Sequence, residues 1–274
     1  MASHVTTGFW GSPTALHTFC EPKYAPSYFF AEMFNSISSL IFCAAAIYLL
    51  VDRDIRADLV VVLLAVALFI IGLGSAAFHA TMLWEYELWD ELPMLVFVAL
   101  ALLSKAACLP RALQPYRAAY VSAVTLATCG SAAAYVLLKK YDVFVHSFTL
   151  IVFVDLAVGS AQPAESRAIN WFKLMTALTL AAGKALWEVE VRLCAVEPRV
   201  WVLHVAWHVL ACASAYCGIL CNFLFRVERG LNPHYPHGTE YTTRWSAGQS
   251  DCRVLAGGAR EPGRATSKDM AKRR

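Results

Sequence analysis

Residues 59–94 read LVVVLLAVALFIIGLGSAAFHATMLWEYELWDELPM. The first sixteen positions carry no polar side chain. A helix needs roughly 20 apolar residues to cross about 30 Å of hydrocarbon, so this run reads as a transmembrane segment. Its far end is unusual, because Ser75, His79 and Asp90 fall at or near membrane depth. A polar group in lipid costs free energy and therefore has a partner or a task.

The rest of the chain agrees with a membrane setting. Of 274 residues, 58% are hydrophobic and only 16% are charged. The net charge of +3 is small, and no basic stripe with interleaved aromatics occurs, which argues against nucleic-acid binding. The N-terminus lacks a basic region followed by an apolar core, so it is not a cleaved signal peptide and the first spanning helix does the targeting. Seven segments are long and apolar enough to span: 29–51, 59–81, 88–105, 118–138, 143–161, 171–189 and 200–225. Short connections leave no room for a soluble domain between them. The expected architecture is an all-α membrane protein, a seven-helix transmembrane bundle over 29–225 with an intramembrane zinc site. An N-terminal segment, 1–28, precedes it. The Gly-, Arg- and Ser-rich tail, 226–274, has no helical period and reads as disordered.

Orientation follows from the distribution of Lys and Arg. Arg53, Arg56, Lys105, Arg111, Arg117 and Arg167 on one side nearly balance Lys23, Lys139, Lys140, Arg192 and Arg199 on the other. Arg226 and Arg229 tip the balance towards a cytosolic C-terminus and a luminal or extracellular N-terminus. Trp10, Trp84, Trp89, Trp171 and Trp201 fall near the expected interfaces, as an aromatic belt does.

An odd number of crossings brings Ser75, His79, Asp90, His204 and His208 towards one face of the membrane. Ser75 and His79 are four apart and share a helix face, and so do His204 and His208 in WVLHVAWHVL. Two histidines at this spacing can present both rings to one metal ion. With His79 they make a three-histidine set, a recognised zinc pattern that leaves a fourth position for water. Asp90 is placed to accept that water's proton or to orient it, and Ser75 to donate a hydrogen bond to a developing oxyanion. Taken singly, each residue has a plainer reading: interhelical hydrogen bonding for the histidines, close helix approach for Ser75, a helix N-terminal acid for Asp90.

Three blocks now carry a family resemblance: CEPKYAPSYFFAEMFNSISSLIF (20–42), GSAAFHATMLWEYELWDELPM (74–94) and HVAWHVLACASAY (204–216). In order and in content they resemble the alkaline ceramidases, seven-helix membrane amidases within a superfamily that includes the adiponectin and progestin receptors. The resemblance implies zinc-dependent hydrolysis of the ceramide amide bond to a sphingoid base and a fatty acid. His79, His204 and His208 would hold zinc, and Asp90 and Ser75 would act on water and oxyanion. It implies a ceramide or related sphingolipid taken from the bilayer, no obligate protein partner, and an endoplasmic-reticulum or Golgi membrane. A lipid-sensing receptor with structural zinc is the alternative. A metal or proton transporter is a third class, disfavoured because the five groups cluster on one side.

The resemblance also implies a calcium site near the N-terminus, for which Glu21 and Glu32 are the available acids. Thr18 and Lys23 stand where the family offers an acid and an amide. An ammonium competes with a cation, so calcium binding is expected to be weak or lost, with Lys23 pairing to Glu21 or Glu32. Cys20 and Cys194 flank the membrane on the N-terminal side, and the resemblance favours a disulfide between them. Cys43, Cys129, Cys212, Cys217 and Cys221 read as apolar fillers, and Cys108 and Cys252 as reduced cytosolic thiols. Glu32, Asn35, Ser36 and Ser39 form a polar stripe for interhelical hydrogen bonds. Asp155 and Lys184 are expected to pair across two helices.

Overall fold

The computed structural model describes residues 7–235 and, as backbone alone, a two-stranded antiparallel ribbon of Tyr241–Thr243 with Val254–Ala256. The rest of the tail, Cys252 included, lies outside the described residues. Apart from the ribbon the fold is helical: α1 (Met33–Val51), the one-turn α2 (Arg53–Arg56), α3 (Leu59–Thr81), α4 (Trp84–Lys105), α5 (Arg117–Leu138), α6 (Tyr141–Ala161), α7 (Arg167–Leu193) and α8 (Val202–Glu228).

Local chemistry explains the boundaries. The Asp52 carboxylate accepts from Asp54 N at 2.8 Å and starts α2, and Asp58 accepts from Val60 N at 3.1 Å and starts α3. Left-handed Met82 (φ 53°) ends α3, and α4 begins two residues later. At the other end of the bundle Arg226 of α8 donates to Asp58 at 2.7 Å, and the Tyr235 hydroxyl donates to Asp54 at 2.8 Å. The chain past 225 therefore continues as helix to Glu228 and folds back as far as Tyr235.

Helices α1, α3 and α4 pack in series, α8 lies against α1 and α7, and α6 lies against α4. Helix α5 is peripheral and buries only Thr128 and Tyr135. Leu137 and Leu150 point outward, 80% and 65% exposed, an apolar surface suited to hydrocarbon.

Six of the long helices, all but α7, are long and apolar enough to cross a membrane. Among the described residues, six of the seven expected segments meet this criterion. The stretch 171–189 is helical, but α7 carries Lys173, Lys184, Glu188, Glu190 and Arg192 and is too polar by composition. The expected Asp155–Lys184 pair is corrected. Lys184 bonds Glu188 one turn on at 2.9 Å and lies 3.7 Å from the Trp187 ring centroid. Asp155 instead takes Lys105 of α4 at 2.5 Å. The cause is packing: α6 meets α4 along its length and scarcely touches α7.

Candidate metal centre and active site

The N-terminal segment forms a strap across one end of the bundle. Thr14 N and Ala15 N donate to Met82 O, Ala31 N to Ala80 O, and Glu32 N to His79 O. The strap lays Phe19 over the histidines, with ring centroids 3.9 Å from His204 and 5.1 Å from His79. Cys20 in the strap and Cys194 after α7 form a disulfide.

Beneath Phe19, α3 contributes His79 and α8 contributes His204 and His208, all buried. One nitrogen of each ring lies within 4.8 Å of the other two. The opposite nitrogens are all engaged. His79 Nδ1 lies 2.6 Å from Glu32 Oε2, His204 Nδ1 lies 3.1 Å from Glu190 Oε2, and His208 Nδ1 lies 2.7 Å from Ser38 Oγ. An ionised carboxylate only accepts, so the first two Nδ1 atoms carry protons. Ser38 has one proton, given to Asn35 O at 3.0 Å, so it too accepts from its ring. Each ring then keeps its lone pair on Nε2. His79 Nε2 is buried with no hydrogen-bond partner. Rings held this way at Nδ1, with an orphaned Nε2 at the centre, fit a divalent metal such as zinc.

Ser75 and Asp90 adjoin this centre. Ser39 Oγ lies 3.0 Å from Ser75 Oγ, and Asp90 stands close by Ser75. Gly74 makes the approach of α3 to α4 possible here. A Cβ at that position would fall 1.9 Å from Trp89 O. Pro93 lacks the N–H that would have bonded this carbonyl within α4. Ser75, Asp90, His204 and His208 line one end of a cavity of about 1120 Å³ that runs down between α4, α6, α7 and α8. Its walls are otherwise mostly apolar, with Leu68, Phe97, Phe148 and Ile219 among them.

Glu21 and Glu32 do not form an open carboxylate pair. The Glu21 carboxylate caps the start of α1, accepting from Phe34 N and Asn35 N at 2.8 Å each. Burial pushes its pKa up from the ordinary value, and the two backbone bonds pull the other way. Glu32 is shared among Lys23, Asn35 Nδ2 and His79. The Lys23 ammonium also donates to the main-chain oxygens of Phe19 at 2.7 Å and Glu21 at 3.1 Å, and so brings a positive charge beside Glu32.

Two contributors escaped the sequence reading, and a third was singled out without its histidine partner. Glu190 bridges His204 and Cys20 N, the latter at 2.9 Å, yet in sequence it is one of several charges near a helix end. Ser38 lies off the polar stripe. Glu32, expected as a calcium ligand, bonds a histidine. The three ring pairings join residues 14, 47 and 170 apart, across different elements.

Comparison with known proteins now gives the geometry a lineage. A Dictyostelium discoideum protein, dcd3A, is 36% identical over 115 residues, covering 35% of this chain and 39% of its own length. Alkaline ceramidase 3 of Mus musculus is 37% identical over 90 residues, covering 32% of this chain and 33% of its own. The chain thus spans less than half the length of these two relatives. Alkaline ceramidase YPC1 of Saccharomyces cerevisiae is 25% identical over 244 residues, 76% of each protein. The model of the ceramidase family matches residues 11–250, nearly the whole chain, and the chain belongs to the ceramidase family.

Proposed function

We propose that this protein hydrolyses the amide bond of ceramides, releasing a sphingoid base and a free fatty acid, with zinc held by His79, His204 and His208. The observation that carries this reading is the convergence of three buried rings, each fixed at Nδ1, beside Ser75 and Asp90 at the head of a long apolar cavity. The family likeness supports it independently.

Zinc in such a site supplies a Lewis acid and lowers the pKa of water to about 7. The chain's own groups do the rest. Asp90 accepts the proton of the attacking water as its oxygen bonds the carbonyl carbon. The Ser75 hydroxyl, which rests against Ser39, turns to donate to the oxyanion. As the C–N bond breaks, Asp90 returns the proton to the leaving amine, and the acyl carbon departs as a carboxylic acid. Phe19 and the strap keep bulk water off the centre.

In this reading α7 is the seventh crossing: Lys184 and Arg192 pair with Glu188, Glu190 turns to the site, and Lys173 donates to Gln162 O at the other end. The N-terminus lies on the luminal side with the strap and disulfide, the tail is cytosolic, and the membrane is that of the endoplasmic reticulum or Golgi. The substrate arrives laterally from the bilayer, and no protein partner is required. Lys23 takes the place a calcium ion would need. The decisive test is fatty-acid release from labelled ceramide by purified protein in lipid–detergent micelles, beside His208→Ala. Release and bound zinc should both be lost in the variant. A zinc-loaded, folded wild type that releases nothing from any ceramide would refute the reading.

A further inference from the structure

The apolar cavity does not end blindly. Asp155, Leu156, Thr176, Gly218 and Asn222 line both it and a second chamber of about 630 Å³ below, so they form a neck, polar but for Leu156, between the two. Polarity changes at this neck. Above it the walls are mostly hydrocarbon. Below it stand Lys105, Gln162, Lys173 and Arg226. The neck is itself polar. Asp155 holds Lys105 at 2.5 Å, Asn222 accepts from Ser104 at 2.6 Å and donates to Gly218 O at 3.0 Å, and Thr176 Oγ1 is buried without a partner.

From His208 to Asn222 is fourteen residues of α8, about 21 Å at the helical rise. That is close to the length of an extended palmitoyl or stearoyl chain. A methylene above the neck gains apolar contact on leaving water, whereas one pushed past it meets hydrated charge and gains none. Resting on the ceramide reading above, we propose that this neck is an acyl-length ruler: the cavity takes the acyl chain and selects chains that end at Asn222. The acyl chain is the occupant because it carries no polar atom beyond its carbonyl. The carbonyl that faces the histidines is its own, so its hydrocarbon runs from them past Leu68, Phe97 and Phe148.

Gly218 offers a direct test. A Cβ there would meet only Thr176, at 3.7 Å and 3.9 Å, so a side chain is tolerated and projects into the neck. Gly218→Leu should cut kcat/KM for palmitoyl ceramide about ten-fold and leave hexanoyl ceramide nearly unchanged. Asn222→Leu, which makes the floor apolar, should shift the optimum the other way, towards lignoceroyl ceramide. Ser104 keeps its bond to Ala101 O in that variant. Opposite shifts in the two variants establish the ruler. Equal losses at every chain length, with zinc content and melting unchanged, overturn it. Displacement of a fluorescent fatty-acid probe by saturated fatty acids of graded length gives a second readout that needs no hydrolysis. An inactive wild type with a palmitate–stearate optimum shortened by Gly218→Leu would keep the ruler and discard the amidase. A flat displacement series would do the reverse.

Discussion

Each histidine is held by a different partner, and the differences predict unequal losses. Glu190 serves both His204 and the Cys20 amide, and an amide in its place cannot accept both bonds from the same two oxygens. Glu190→Gln should therefore weaken zinc binding by about 10–100-fold, read by competition with a chromogenic chelator. Glu32→Gln carries a second penalty, because the ammonium of Lys23 loses its carboxylate in a buried setting. A loss of about 3–5 kcal/mol is expected in thermal or denaturant unfolding, and the double variant with Lys23→Met should recover part of it. The same ammonium makes a calcium test sharp. With zinc supplied, a calcium-selective chelator should leave activity unchanged, and a collapse would show that Lys23 does not fill the position.

At the scale of elements, the approach of α3 to α4 sets the geometry of Ser75 against Asp90. Gly74→Ala puts a methyl group 1.9 Å from the Trp89 carbonyl, which must move. A displacement of about 1 Å at a catalytic centre costs about 100-fold in rate. The expected result is a folded, less stable protein that retains zinc, since His204 and His208 lie on α8 and His79 is more than a helical turn beyond Gly74, but turns over far more slowly. Fatty-acid release and metal analysis on one preparation measure both. Helix α7 shows how composition and placement part company. Its charges make it the one long helix that fails as an apolar span, yet it carries Glu190 to the metal centre and buries Trp187 against Trp207, centroids 5.0 Å apart.

For the whole molecule, the strap and disulfide join the first twenty residues to the end of α7 across 174 positions. A native cross-link over so long a loop contributes about 2–5 kcal/mol. Cys20→Ser should lower the melting temperature and lose the mobility shift between reduced and non-reduced gels. It should also speed zinc loss, because the Cys20 amide that steadies Glu190 is no longer anchored. The proposed seven-crossing topology puts the termini on opposite sides. Glycosylation acceptor tags should be modified at the N-terminus and not at the C-terminus, and modification at both ends would exclude an odd number.

The chemistry of the site was legible in the sequence to the extent that it is periodic. His204 and His208 share a face because a helix turns every 3.6 residues, and apolar length marks six helices as able to span. The meeting of His79 with the α8 pair could be expected from an odd count of crossings, since topology alone sets which helix ends are near. What tertiary structure alone decided is which polar groups meet. Asp155 chose Lys105 over Lys184 because α6 packs on α4. Glu32 turned to a histidine and a lysine, and Ser38 and Glu190 became the holders of two rings. Such pairings depend on side-chain direction across helices far apart in sequence, and a burial cost that every polar group must meet selects among them only once the helices are packed.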